Sequence, residues 1–268
     1  MKNKKLKIGL ALGSGGIKGY SHVGVLKVLE ENNIPIDFIA GSSIGAMIGS
    51  VYSYLKDSKK LEEIVLSTSW HQISSLMSFS FKEGLIKGEM IEKYIDEITW
   101  GVSFEDLKIP LSVVTTNFKT GESVNLSRGD VAKAVRASSS IPWIFKSVKI
   151  NGKTLCDGGL SNPVPVDVVR KMGADIVIAV NLDNESYFDS RRYKEKNFYL
   201  NSLKSIQFLQ YNLAKERLRS ADIIIEPSVG GLGLIGLDSF IKQKGQKVVL
   251  EGEKATNKVI KKIKKLLK

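Results

Sequence analysis

Residues 36–45 read Ile-Asp-Phe-Ile-Ala-Gly-Ser-Ser-Ile-Gly, and the organisation of the whole chain turns on them. Residues 36–40 are a short apolar run, long enough for a buried strand. The run ends in Gly41-Ser42-Ser43-Ile44-Gly45, a G-x-S-x-G pattern. Ala46, Gly49 and Ser50 follow, with Met47, Ile48 and Val51 at helical spacing. Strand, sharp turn and helix, in that order, are the context of a nucleophile elbow, where Ser43 takes a strained backbone position and its hydroxyl rises above the sheet. A Cβ in place of Gly41 or Gly45 would crowd such a turn. The helix opening behind Ser43 points backbone N–H groups and its positive dipole end at the same centre. The plainer alternative is a glycine-serine loop, since G-x-S-x-G by itself recurs by chance.

Upstream, residues 6–12 form an apolar strand that runs into Gly13-Ser14-Gly15-Gly16-Ile17-Lys18-Gly19. A helix follows, with Val23, Leu26, Val28 and Leu29 on or near one face. Strand, glycine loop, helix and elbow strand make a β-α-β unit and predict a parallel sheet. The loop has three candidate chemistries. A Walker A loop fails, because Lys18 is followed by Gly19 and Tyr20. A dinucleotide fingerprint is weak, because Gly13, Gly15 and Gly19 are spaced one residue too long and Asp37 opens the second strand. An oxyanion hole fits, because consecutive glycines can turn several backbone N–H groups toward one point. Lys18 would then hold the loop or add positive potential.

Downstream, the apolar periodicity predicts helices after Asp57 and after Lys87, with an irregular serine-rich segment over residues 70–84 whose apolar side chains read as core packing, with part of a lid or acyl pocket as the functional alternative. Residues 110–116 and 123–126 read as paired strands and residues 131–137 as a helix. Asn151-Gly152 is a two-residue hairpin signal. Its returning strand delivers Asp157-Gly158-Gly159. Further strands are expected at residues 175–180 and 222–226, a solvated loop at 184–196, a helix over 198–219 and a flexible apolar run at 230–236.

A serine nucleophile needs a base. The chain has two histidines, His22 and His71. No histidine follows His71, which removes the usual α/β-hydrolase order of serine, acid and histidine. His22 reads as packed or solvated, and His71 has no orienting acid beside it. A partly desolvated aspartate can serve instead. Asp157 is the candidate, with an ordinary Asp-Gly turn as the alternative.

With these residues in place, the chain resembles the bacterial patatin-like phospholipase family. Gly15-Gly16-Ile17-Lys18-Gly19 resembles the family's oxyanion motif, and Gly41-Ser42-Ser43-Ile44-Gly45 its nucleophile motif. Asp157-Gly158-Gly159 resembles its dyad motif, and residues 137–142 the segment before the catalytic aspartate. The resemblance covers roughly residues 6–183, and Ser14 stands where many members have glycine. It implies a three-layer α/β/α sandwich with a mostly parallel central sheet. It also implies a Ser43–Asp157 dyad acting through an acyl-enzyme on phospholipids or other acyl esters. Gly15, Gly16, Ile17 and Ile44 would supply oxyanion donors, with no metal and no organic cofactor. Acyl transfer on the same dyad, and a non-catalytic lipid-binding module, are the alternatives.

Composition sets the remaining expectations. With 268 residues and 43% hydrophobic content, one domain over residues 1–268 is the simplest reading. Cys156 is the one cysteine, which excludes an intrachain disulfide and a cysteine-built zinc site. The basic N-terminus precedes an apolar run of residues 8–12 only, and no stretch approaches transmembrane length, so a cytoplasmic protein is expected. The net charge of +12 predicts an anionic partner. A basic helix is expected over residues 237–268. Its apolar stripe (Val259, Ile260, Ile263, Leu266, Leu267) either docks on the domain or, with the lysines, rests on an anionic membrane. Nucleic acid is not expected, because the basic segments carry no reading motif.

Overall fold

The computed structural model describes residues 6–67, 100–142, 144–183, 198–229 and 242–267, together with residues 93, 96 and 97. The expected helix after Lys87, the segment 70–84 with His71, the loop 184–196 and the run 230–236 lie largely or wholly outside the described residues.

Among the described residues the strands are β1 (Ile8–Leu12), β2 (Phe38–Ser42), β3 (Leu111–Asn117), β4 (Ser123–Leu126), β5 (Val148–Ile150), β6 (Lys153–Cys156), β7 (Ile176–Val180) and β8 (Ile223–Ile225). They form one sheet in the order β5-β6-β3-β2-β1-β7-β8, with β4 also pairing β3. The segment from β3 through β8 is parallel, while β4, β5 and β6 join antiparallel at the β3 side. The elbow strand β2 starts two residues later than its apolar run. Asp37 stays outside the strand because its carboxylate accepts the Ile8 N–H at 2.7 Å.

Successive side chains of a strand point to opposite faces, so a sheet covered on both sides must be apolar at every position. β1 obeys this: Ile8, Leu10 and Leu12 pack into one cluster and Ala11 into the other. The first cluster takes residues from α1 (Tyr20–Glu31), α2 (Ile44–Leu55), α3 (Ser58–Ser67), α4 (Val131–Ser138) and α7 (Lys242–Leu266). The second takes α5 (Val166–Lys171) and α6 (Phe198–Leu218). The result is a three-layer α/β/α sandwich with a mostly parallel sheet.

The C-terminal helix α7 lies against α1 at very short range. A methyl group on Gly24 would stand 2.0 Å from the Val249 carbonyl oxygen, and one on Gly252 2.0 Å from that of Ser21. Val248, Val249, Ala255 and Ile263 are buried there, with Val259, Ile260 and Leu267 packed at the margin. The apolar stripe of this helix is therefore taken up by the domain itself. Leu266 remains exposed.

Candidate active site

The turn after β2 has the geometry expected of an elbow. Ser43 has φ 53° and ψ −119°, a backbone conformation that costs a non-glycine residue on the order of 1–3 kcal/mol. It persists because the surroundings leave no room to relax. A methyl group on Gly45 would stand 2.2 Å from the Leu12 carbonyl oxygen, and one on Gly41 2.5 Å from the Ala46 nitrogen. The Ser43 N–H donates to Ser138 Oγ at 2.8 Å, and the Ser138 hydroxyl donates to the Val114 carbonyl at 2.6 Å. One hydroxyl thus ties the elbow to α4 and β3. The Ser43 carbonyl accepts the N–H groups of Ala46 and Met47, which starts α2 immediately behind the side chain.

The glycine loop leaves β1 beside the elbow. Gly13 N–H donates to Val180 O and Ser14 N–H to Pro163 O. Gly15 (φ 152°) and Gly16 (φ 57°) then turn the chain into a 3-10 helix over Gly16–Gly19. The N–H groups of Gly16 and Ile17 open that helix, and that of Ile44 opens α2, positions with no intrahelical acceptor. Lys18 is fully buried; its Nζ donates to Leu182 O at 2.9 Å and to Asp183 Oδ1 at 2.7 Å. Burial pulls its pKa below the usual lysine range while Asp183 opposes the shift. Lys18 therefore fixes the loop against the chain leaving β7. Gly19 packs on Ile44, where an added methyl would stand 2.1 Å from its side chain.

Asp157 follows β6 at the end opposite the Asn151-Gly152 hairpin turn, whose positive φ values (49° and 74°) match a type I′ turn. Its N–H donates to Ser140 O, and its carbonyl accepts the Thr116 hydroxyl. Asp157 Oδ1 accepts the Gly159 N–H at 2.8 Å, while the buried Oδ2 has no hydrogen-bond partner among the described residues. Gly158 passes so close to β3 that an added methyl would stand 2.1 Å from Val114 O. Burial pushes the Asp157 carboxyl up to about 7, with a smaller rise from Asp183, while the Ser43 hydroxyl and the Gly159 N–H pull it down. Ser43 and Asp157 line one narrow cleft with Ser14, Gly15, Ile141, Leu160, Ile206 and Gln210.

A family profile described as "Patatin-like phospholipase" matches residues 10–170, which takes in both motif glycine loops and the Asp157 turn. The chain belongs to the patatin-like phospholipase family. It is 36% identical over 181 residues to an uncharacterized NTE family protein of Mycobacterium tuberculosis, covering 66% of this chain and 49% of that protein. It is 33% identical over 190 residues to a lysophospholipase of Aspergillus fumigatus, covering 65% of this chain and 12% of that one. VipD from Legionella pneumophila shares the fold with a TM-score of 0.69 at 15% identity, over 97% of this chain and 67% of that chain. The patatin-like chain spans less than half the length of these curated relatives.

The elbow, the glycine loop and the Asp157 turn are thus brought together. His22 is not part of the cleft. It is fully buried, its Nε2 meets Gly13 O at 2.8 Å, and burial lowers its pKa to about 4. Sequence reasoning missed Ser138 as the elbow's anchor, Asp183 as the partner of Lys18, and Gln210 in the wall. The serine run at residues 138–140 was a signal for the first. Among the described residues no group of three or more His, Cys, Asp or Glu side chains is placed to hold a metal ion.

A buried carboxyl with a raised pKa costs stability once it ionises. Its folded value of about 7 lies above the ordinary 3.8, so the folded state binds the proton more tightly. The wild type therefore loses stability through this group as pH rises from about 4 to about 7. Asp157→Asn removes that loss. Its melting temperature relative to wild type should climb between pH 4 and pH 7 and then level off. Scanning calorimetry of both proteins across that range checks this, and a constant difference would contradict it.

Proposed function

We propose that this patatin-like protein is a serine hydrolase of lipid acyl esters, of the phospholipase or lysophospholipase type, working through a Ser43–Asp157 dyad. The observation that carries the reading is the shared cleft: a serine on a strained elbow beside a buried carboxylate with one oxygen unpartnered. In acylation, Asp157 takes the Ser43 proton as Oγ attacks the ester carbon, then gives it to the leaving alcohol. The oxyanion that forms would be met by N–H groups of Gly15, just before the 3-10 helix, and of Gly16, Ile17 and Ile44, which open helices where N–H groups have no intrahelical acceptor. Lys18, Gly19, Gly41, Gly45, Gly158 and Gly159 act through packing. A carboxyl near pKa 7 suits a base that must both accept and return a proton at neutral pH. The lysophospholipase relative and the family description support a lipid substrate.

The dyad is tested on an uncharged short-chain ester. Ser43→Ala and Asp157→Asn should each lower turnover by about a thousandfold or more. Wild-type kcat/KM should rise with pH through about 7 as Asp157 loses its proton. A mild loss in either variant, or a limb near pH 4, contradicts the assignment.

The same reading extends to where the substrate is. Lys247, Lys254, Lys258, Lys261 and Lys265 are exposed on α7 and recur at spacings of seven, four, three and four, which places them on one helix face. That face is opposite the docked stripe, so the helix stays on the domain while the lysines contact an anionic bilayer peripherally. Each lysine near such a surface contributes about 1 kcal/mol, screened by salt. Lys258→Glu, Lys261→Glu and Lys265→Glu combined should abolish sedimentation with anionic vesicles at low salt and leave short-chain ester turnover intact. Unchanged sedimentation would place the contact elsewhere.

A further inference from the structure

Three polar side chains from separate parts of the chain converge beside Ser43. Ser14 comes from the glycine loop, Asp157 from the end of β6 and Gln210 from the middle of α6. A methyl group placed on Gly159 would stand 2.5 Å from Gln210 Nε2, 2.9 Å from Asp157 Oδ1 and 2.9 Å from Ser14 Oγ. The three polar groups thus crowd the hydrogen side of Gly159 and leave no room for a side chain at this position. These side chains are only 6% (Gln210), 2% (Asp157) and 3% (Ser14) exposed, and together they wall a polar niche in the narrow cleft that holds Ser43.

Two atoms of these side chains are orphans: neither Ser14 Oγ nor Asp157 Oδ2, the carboxyl oxygen that does not accept from Gly159, has a hydrogen-bond partner among the described residues. Leaving a buried hydroxyl and a carboxylate oxygen unsatisfied is costly, and such atoms mark places where a small polar molecule belongs. Gln210 is the third polar wall. It sits on the inward face of α6, where Ala214 and Leu218 are apolar, yet presents a carboxamide to the cleft. The cleft admits about one water-sized sphere. Acylation as described above uses Asp157 but neither Ser14 nor Gln210.

We infer that Ser14, Gln210 and Asp157 together hold the water that hydrolyses the acyl-enzyme. This rests on the Ser43–Asp157 reading. The hydrogen-bond arithmetic closes: the water donates one O–H to Asp157 and the other to Ser14 Oγ, and accepts from Gln210 Nε2. Its remaining lone pair faces the ester carbon carried by Ser43. Asp157 takes one water proton as the new C–O bond forms and the carbonyl electrons move to the oxyanion. The oxyanion collapses, the C–Oγ bond breaks, and the proton on Asp157 passes to Ser43 Oγ. The products are a free carboxylic acid and the resting serine. An alcohol in the same niche would place a carbon where Ser14 accepts a hydrogen, so the niche favours hydrolysis over acyl transfer.

The test separates the two half-reactions with the full chain, using p-nitrophenyl butyrate in a stopped-flow instrument, on Gln210→Leu and independently on Ser14→Ala. In each variant the first equivalent of p-nitrophenol should appear within about twofold of the wild-type rate, while steady-state turnover falls about five- to tenfold. With methanol present, the ratio of methyl ester to free acid should rise above wild type, a ratio that does not depend on how much protein is folded. If both phases slow together, the residues merely support Asp157 and the proposal is overturned. It is equally overturned if both phases and the product ratio match wild type. Wild-type protein that takes no fluorophosphonate on Ser43 would overturn the dyad and the niche together, whereas normal labelling with unaltered variants overturns the niche alone.

Discussion

The left-handed backbone of Ser43 is the constraint on which the site depends. A serine does not hold φ near 53° unless its neighbours forbid anything else. Here the prohibition comes from two sides. Gly45 lies flat on the exit of β1, and Gly41 lies under the start of α2. The Ser138 hydroxyl then clamps the Ser43 N–H from across β3. Because the elbow, the glycine loop and β1 share these contacts, the position of the hydroxyl and that of the helix-opening N–H groups are set by the same packing. A parallel sheet buried on both faces is rigid enough to hold such strain, and the strands' carboxyl ends are where such sites gather.

The electrostatics follow from burial. Two charged groups, Lys18 and Asp157, sit in the wall of the sheet's end with almost no solvent. Lys18 is compensated directly by Asp183. Asp157 is not compensated in that way, and Asp183 also disfavours its ionised form. Burial is the main cause of the raised Asp157 pKa, and Asp183, besides holding Lys18 and with it the glycine loop, adds a smaller rise. The unfavourable burial of Asp157 is a cost that the surrounding core must offset.

The sequence was most legible where chemistry and local structure share a few neighbouring residues. The elbow is written in Gly41, Ser43 and Gly45, the hairpin in Asn151-Gly152, and the parallel sheet in apolar runs that do not alternate. What stayed hidden depends on residues far apart in the chain. Nothing near Lys18 names Asp183, and nothing near Gln210 marks it as facing the Ser43 cleft rather than solvent. Periodicity alone also left the C-terminal stripe open between a protein surface and a membrane. That question is decided by Gly24 and Gly252, which let two helices touch through backbone, a contact that exists only once both are folded.

Hydrolysis through Ser43 requires a covalent acyl group at that one serine. Protein quenched in acid during turnover of an acyl ester, then mapped by peptide mass spectrometry, reads this directly. The account predicts one acyl mass on the peptide containing Ser43, and none on Ser42. Turnover with no acylated peptide, or with the acyl group on another residue, would contradict it.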